Sequence, residues 1–370
     1  MNIELVGKFF DNQSLSKVNR NIVKAIHNNI SITALDSPMA ENKVDNIDYF
    51  LSRKGKQPLT GDYIIQHSYP PIFRWPENKE SKVIYIQPWE FADVPSEWQY
   101  KFQEYADALI VPSNFVREAF LTAGLDPDKV FVIPNGYDPD IYFAEEREDK
   151  EFKRFLFVGC GQFRKGFDVL LKAWVHATNK TDNIELIIKD TPQVYGDTQI
   201  LENITRTQYS TDCAKITYID DIYSEREMAD LYRSTDVIVH PYRGEGFGMH
   251  IMEAMACGVF PLVTKGGATD DFVIESDSKI SSYSRPVNMY DIFALKPGDS
   301  MSAMGKHRTI LEPDINELVT RIKELKVSKI RVPDVSRIKS WTEVGKMYTS
   351  VLSSLEGPPV RVRNKHNGSN

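Results

Sequence analysis

Short apolar runs alternate with stretches of helical periodicity along most of the chain, and this alternation narrows the fold more than any other feature. One series holds NIELVG, SITALD, DYIIQH, KVIYIQ, ALIVPS and KVFVIPN, with helical segments at 15–28 and 114–122 between some of them. A second holds RFLFVG, IELIIKD, KITYID, DVIVHP and FPLVTK. Short β-branched and aromatic runs bounded by turn residues read as buried strands. Strands that alternate with helices pair in parallel under crossover helices, so the expected class is α/β. Two series imply two domains, and 370 residues at 42.4 kDa exceed the usual size of one core. EEREDKEFKR, at 145–154, separates the series and reads as a solvated linker. The expected domains therefore run over 1–145 and 152–335. SWTEVGKMYTSVLSSL, about 340–355, is an amphipathic helix, and 356–370 has the Pro, Gly and charge content of a disordered tail.

Composition excludes several classes of function. A net charge of −7 argues against nucleic acid as the main partner. Mean hydropathy is −0.37, and no run approaches the ~18 apolar residues of a membrane span. The start, MNIELVGKFF, lacks the charged and long apolar regions of a signal peptide. Cys160, Cys213 and Cys257 are few and widely spaced, which fits a reducing compartment and offers no metal-ligand spacing. The chain reads as cytoplasmic, and RVRNKH near its end would support at most peripheral membrane association.

Chemistry concentrates at strand ends of the second series, where open α/β sheets bind ligands. In FVGCGQFRKGFDVLLKAW a strand stops at Val158, a loop with Gly161 turns, and a helix begins near Phe167 or Asp168. Arg164 and Lys165 in that loop suit a diphosphate, one as a bidentate fork and the other as a point charge, although RKG alone is equally a surface turn. The order of residues is neither a P-loop nor GxGxxG. In GEGFGMHIMEAMACG, at 244–258, helical periodicity starts at Met249, so the N–H groups of Gly248, Met249 and His250 form a helix N-terminus suited to phosphate. Glu245 and Glu253 flank that turn. Carboxylates there are unfavourable for phosphate but would accept hydrogen bonds from hydroxyls at the two ends of a phosphorylated molecule such as a nucleotide sugar. A solvated loop Glu and a helix Glu in a salt bridge are the alternative.

FRKG with the glycines at 159–166, HPYRGEGFGMHIMEAMACGVFPLVTKGG, VPSNFVREAFLTAGLDPDKVFVIPNGYDPDIY and the final SWTEVGKMY together resemble glycosyltransferase family 4. The resemblance implies the GT-B architecture, two Rossmann-like domains with parallel sheets facing each other across a cleft. It implies a retaining glycosyltransferase that takes a hexose-type sugar from a nucleotide diphosphate sugar, UDP- or GDP-linked. The acceptor would be a glycan, a lipid-linked glycan or a protein. By resemblance Glu245 contacts the transferred sugar, Glu253 holds the ribose, Arg164 and Lys165 hold the diphosphate, and the helix around Trp341 crosses back onto the first domain.

Departures from that pattern fall on the acceptor side. Many relatives carry two adjacent glycines after the first strand; here the loop has Gly7 alone, followed by Phe9 and Phe10. Where many relatives place a His after the strand matching KVIYIQ, this chain has Gln87. His67 ends a neighbouring strand and is either an acceptor-side group or structural. Trp89 and Glu90 are candidates for stacking on and hydrogen-bonding an acceptor sugar, against the alternative of a packed aromatic. His240, before Pro241, is expected to be buried. The long run after Gly267 reads as a loop or small subdomain that helps select donor or acceptor, with disorder as the alternative. No Asp-x-Asp metal clamp is evident, since DPD at Asp126 and Asp138 reads as Pro turns; metal-independent transfer without a cofactor is expected. A silent donor-binding subunit or a nucleotide-sugar epimerase are the alternatives.

Overall fold

The computed structural model describes residues 2–26, 30–37, 47–54, 61–146, 151–196, 199–289, 307–355 and 357–359. The chain divides into two units, Met1–Gly136 with Trp341–Asn370, and Tyr137–Ser340. The break after Gly136 falls ahead of the charged 145–154 stretch, whose end, from Lys153, is already strand. Residues 147–150, 290–306 and nearly all of the expected tail lie outside the described residues. Among the described residues no helix is long and apolar enough to cross a membrane.

In the first unit β1 (Ile3–Gly7), α1 (Ser14–Ile26), β2 (Ile30–Ala34), α2 (Ile47–Ser52), β3 (Tyr63–His67), β4 (Lys82–Ile86), α3 (Ser96–Tyr105), β5 (Ala108–Val111), α4 (Asn114–Thr122) and β6 (Val130–Val132) follow in order. The strands form one parallel sheet, β2-β1-β3-β4-β5-β6. Every residue of β1, β4 and β5 is buried, as strands covered on both faces require, and this explains their unbroken apolar runs. Ser113 caps α4 by accepting from the Val116 N–H, which marks the helix start that the sequence places at Asn114.

The second unit contains β7 (Lys153–Val158), α5 (Phe167–Ala177), β8 (Ile184–Lys189), α6 (Pro192–Tyr195), α7 (Ile200–Ser210), β9 (Lys215–Ile219), α8 (Glu225–Arg233), β10 (Val237–His240), α9 (Met249–Ala256), β11 (Phe260–Thr264), β12 (Lys279–Ile280), β13 (Ser282–Asn288), β14 (His307–Pro313) and α10 (Ile315–Val327). Its parallel sheet runs β12-β11-β10-β7-β8-β9. Phe155, Trp174, Leu186, Leu262 and Ile322 lie at its core. α8 opens with a capping box of Ser224 and Glu227, and Asp314 caps α10.

Among its described residues, the run after Gly267 holds strands rather than an irregular loop alone. β12 adds an edge strand, and β13 pairs antiparallel with β14. SYSRPVN carries little strand signal because a two-stranded ribbon tolerates Pro286 and exposed polar side chains.

α11 (Trp341–Ser354) belongs to the first unit and packs on α1. Trp341, Val344, Gly345, Tyr348 and Leu352 form its buried stripe. A side chain at position 345 would put its Cβ 2.4 Å from the Ala25 carbonyl oxygen, so glycine lets the two backbones touch.

Candidate active site

The second sheet reverses its strand order between β7 and β10. Such a switch point opens a crevice at the carboxyl ends of the strands. The loop after β7 carries half-buried Gly161, then a single 3-10 turn, Phe163–Lys165, and ends at Gly166 with φ +74°. A Cβ at 166 would lie 1.9 Å from the Pro241 carbonyl oxygen, so only glycine lets this loop rest on the strand end of β10. The N–H of Arg243 donates to the Arg164 carbonyl at 2.7 Å, and that of Gly244 to the same oxygen at 3.2 Å. These contacts bring two segments remote in sequence into register.

Their side chains meet at Glu245. Lys165 Nζ is 2.5 Å from Glu245 Oε2, Arg164 Nη1 is 3.8 Å from it, and His240 Nε2 is 4.0 Å from it. Burial alone would raise the Glu245 pKa; the charges of Lys165 and Arg164 outweigh it and hold the carboxyl at about 2. Gly248, at φ +93°, sets the start of α9, with Met249 and His250 as its first residues. A Cβ on Gly248 would approach Thr269 Cγ2 to 2.9 Å and Glu245 Cγ to 3.8 Å, so the cluster lies against the N-terminus of the helix. The positive end of the helix dipole thus adds to the two cations.

His240 is buried, as its position before Pro241 suggests, and its ring stands edge to face with His250, centroids 4.3 Å apart. Burial first, and then the Lys165 charge, lower the pKa of His250 to about 3; burial first, then His250 and the two cations, lower that of His240 well below the ordinary histidine value, so both are neutral. Glu253 lies elsewhere on α9. It is 5% exposed and accepts from Tyr232 Oη at 3.4 Å. Burial and then the Glu253 charge push the neighbouring Tyr142 hydroxyl up. The structure therefore joins Arg164, Lys165, Glu245 and the start of α9, and gives Glu253 a separate, tyrosine-lined place.

Arg243 is the organising residue that sequence reasoning missed. Only 5% exposed, it forks onto Asp168 at 2.7 and 2.9 Å, donates through Nε to Glu312 at 2.9 Å and through Nη1 to the Phe163 carbonyl at 2.9 Å. Its guanidinium stacks 3.8 Å over the Phe163 ring. Arg285 of β13 shares the same Glu312 carboxylate at 2.6 Å, which ties the hairpin to the loop carrying Arg164 and Lys165. An arginine beside GEGFG was visible in the sequence, but its acidic partners sit far off in the chain with no motif of their own.

In the first unit the residues assigned to an acceptor are largely packed away. Gly7 permits the approach of α1, since a Cβ would meet Asn19 Nδ2 at 2.4 Å. His67 is 3% exposed, its Nδ1 is 2.7 Å from Asn19 Oδ1, and burial lowers its pKa to about 3, which makes it a neutral structural group. Phe10 and Gln87 are both 0% exposed, and the Gln87 amide donates to the Pro88 carbonyl at 2.9 Å. Trp89, also 0% exposed, takes the packed-aromatic alternative: it lies 4.9 Å from Trp98 and 5.3 Å from Phe91 between centroids and donates to the Asp93 carbonyl. A ring enclosed on this scale has no free face for a sugar, so stacking through Trp89 is ruled out in this conformation. Glu90 is half-buried.

Both Asp-Pro-Asp segments are turns, with Asp126 and Asp138 each accepting the N–H two residues on at 3.0 Å. Cys160, Cys213 and Cys257 are buried and form no disulfide with one another. Among the described residues no cluster of three or more His, Cys, Asp or Glu is arranged to hold a metal ion.

Residues 138–285 match the model of group 1 glycosyl transferases, and residues 65–141 that of glycosyltransferase family 4. A lipopolysaccharide 1,2-N-acetylglucosaminetransferase of Salmonella typhimurium is 25% identical over 255 residues, 63% of this chain and 62% of its own length. A D-inositol 3-phosphate glycosyltransferase of Xylanimonas cellulosilytica is 25% identical over 168 residues, 41% and 39% of the two chains. The chain thus spans about half the length of the curated relatives it matches. Among solved structures, Anabaena HepE in complex with UDP and glucose superposes with a TM-score of 0.57 at 13% identity, covering 96% of this chain and all of that one, a likeness of fold. With both family models matched in chain order and two parallel six-stranded sheets like those of its GT-B neighbours, the chain is similar to the family 4-type glycosyltransferases in sequence and in fold.

Proposed function

We propose that the protein is a retaining hexosyltransferase that takes its sugar from a UDP- or GDP-linked donor and passes it to a hydroxyl of a glycan, lipid-linked or protein acceptor, without a metal ion or resident cofactor. One observation carries this reading: Arg164, Lys165 and Glu245 converge against the N-terminus of α9 at the switch point of the second sheet. In it, Arg164 and Lys165 hold the diphosphate and the N–H groups of Gly248, Met249 and His250 meet a phosphate oxygen. Glu245 accepts from sugar hydroxyls and Glu253 from ribose hydroxyls. Because their neighbours differ, Lys165 and Arg164 for one and Tyr232 for the other, the two carboxylates suit opposite ends of such a ligand. HepE, with UDP and glucose bound, supports this ligand class for the fold.

The chemistry asked of the protein is mainly electrostatic. As the bond from the sugar carbon to the phosphate oxygen breaks, charge grows on the diphosphate, where two cations and a helix dipole are already fixed. The acceptor oxygen bonds to the same sugar face while its proton passes to the departing phosphate oxygen. Turns absorb the Asp126 and Asp138 carboxylates, which supports a metal-independent reading.

Thermal-shift titration against UDP-, GDP-, dTDP- and ADP-sugars, with Mg²⁺ or EDTA, tests it on wild type and Glu253→Ala. Stabilisation by one nucleotide series that survives EDTA and disappears in the variant is expected. A shift that needs Mg²⁺ refutes the metal-independent route. A second reading, a donor-binding subunit without transfer activity, is favoured by the packing of Phe10, His67 and Trp89 in the first unit; donor binding with neither transfer nor donor hydrolysis would establish it.

A further inference from the structure

The cations offered to a diphosphate are already engaged. Lys165 Nζ lies 2.5 Å from Glu245 Oε2 and Arg164 Nη1 3.8 Å from the same oxygen. Drawing them onto phosphate would leave Glu245, whose side chain is 13% exposed, as a buried anion stripped of its cation. Such a charge is strongly unfavourable unless another partner arrives. Beneath it stand two imidazoles. His240 is 0% exposed, its Nε2 is 4.0 Å from Glu245 Oε2, and neither of its ring nitrogens has a hydrogen-bond partner. The buried Nε2 of His250 has none either. Buried polar atoms without partners are rare, and here they gather in one place under a helix N-terminus.

Resting on the donor reading above, we propose that a diphosphate engaging Arg164 and Lys165 draws one proton from solvent onto the His240–His250 pair, and that the imidazolium so formed replaces Lys165 as the counter-ion of Glu245. The proton adds to a free ring nitrogen, and no covalent bond to the ligand is involved.

The groups facing the pair set the direction of this exchange. Around His240 stand Phe157 of β7 at 5.0 Å and Tyr242 at 6.0 Å between centroids, with Gly159 abutting the ring. The charged groups that act on the pair are Lys165 and Arg164 from the loop after β7 and Glu245 from the loop after β10. In the free site burial and the two cations both keep the imidazoles neutral. A bound diphosphate cancels the cations and exposes the pair to Glu245, so the charge contribution reverses while burial alone still opposes protonation. A single proton is taken up, since two adjacent imidazoliums would repel. Affinity for the donor then rises as pH falls, by about tenfold per pH unit for one linked proton.

Titration calorimetry of the full chain with UDP-glucose, UDP-N-acetylglucosamine and GDP-mannose, at pH 7 in buffers of differing ionisation enthalpy, reads this directly. The diphosphate diesters do not titrate there, so any buffer dependence belongs to the protein. For the donor that binds, the apparent enthalpy should change with buffer ionisation enthalpy with a slope of about one proton. That slope should fall to near zero in His240→Asn and drop in His250→Gln, the second variant covering failure of the first to fold. Binding with no slope in the wild type overturns proton uptake and leaves the donor site standing. A slope that survives in both variants assigns the proton elsewhere and overturns it too. Absence of binding by every probe to the folded protein overturns the donor reading and this proposal together.

Discussion

The two sheets present the same kind of place twice, and fill it differently. Each reverses its strand order once, between β1 and β3 in the first unit and between β7 and β10 in the second. At the first, the N–H groups of Phe9 and Phe10 donate to the two oxygens of Asp36 at 2.8 and 2.7 Å, and His67 is matched to Asn19. An internal carboxylate thus occupies backbone donors of the kind that bind anions elsewhere. At the second, two cations share one carboxylate and buried imidazole nitrogens are left without partners. Topology supplies a crevice in both; the loop side chains decide whether it is self-satisfied or poised for a ligand.

The sharpest test of this contrast is Arg164→Ala, which should cost about 2–4 kcal/mol of transition-state stabilisation in transfer, or roughly 30- to 1000-fold in rate. A loss below about threefold would remove Arg164 from the diphosphate site. Next comes acid sensitivity. The folded pKa of Glu245, about 2, lies below the usual carboxylate value, so its contribution is present above that usual value and is lost as pH falls toward 2. Glu245→Gln should therefore flatten the urea stability curve between about pH 4.5 and 2, a difference on the order of 2–3 kcal/mol; an unchanged slope would mean the ion pair is absent in solution. At the first switch point, Asp36→Ala strips two backbone donors of their partner and should destabilise by about 1–2 kcal/mol, part of it recovered in inorganic phosphate. If phosphate stabilises the wild type equally, Asp36 does not fill that position. Smallest is His67→Gln, within about 1 kcal/mol at pH 7. Its folded pKa, about 3, is below the ordinary histidine value, so wild-type stability falls with pH from about 6.5 toward 3, and the variant should fall less steeply. An identical profile in both would exclude a buried neutral imidazole.

Strands at sheet centres were readable because burial on both faces demands unbroken apolar runs, as IELVG and ALIV show. β12 and β13 escaped notice because an edge pair and a two-stranded ribbon make no such demand. Arg164, Lys165 and Glu245 stood out as charges in glycine-bearing loops after strands, where charge has no packing role. Trp89 looked like a sugar platform for the same local reason, and its enclosure by Phe91 and Trp98 is a property of packing that no neighbouring residue announces.

The amino-acid sequence by itself determined the two parallel sheets, the glycines at 166 and 248 that the turns require, and the charges delivered to the ends of β7 and β10, because periodicity and backbone freedom act over a few residues. Tertiary structure alone decided that Arg243 would gather Asp168, Glu312 and Phe163, that Asp36 would quiet the first crevice, and that His240 and His250 would lie without partners beneath Glu245. Those outcomes depend on where distant side chains stop relative to one another. Distance and burial set their energies, and neither is written in any single segment of the chain.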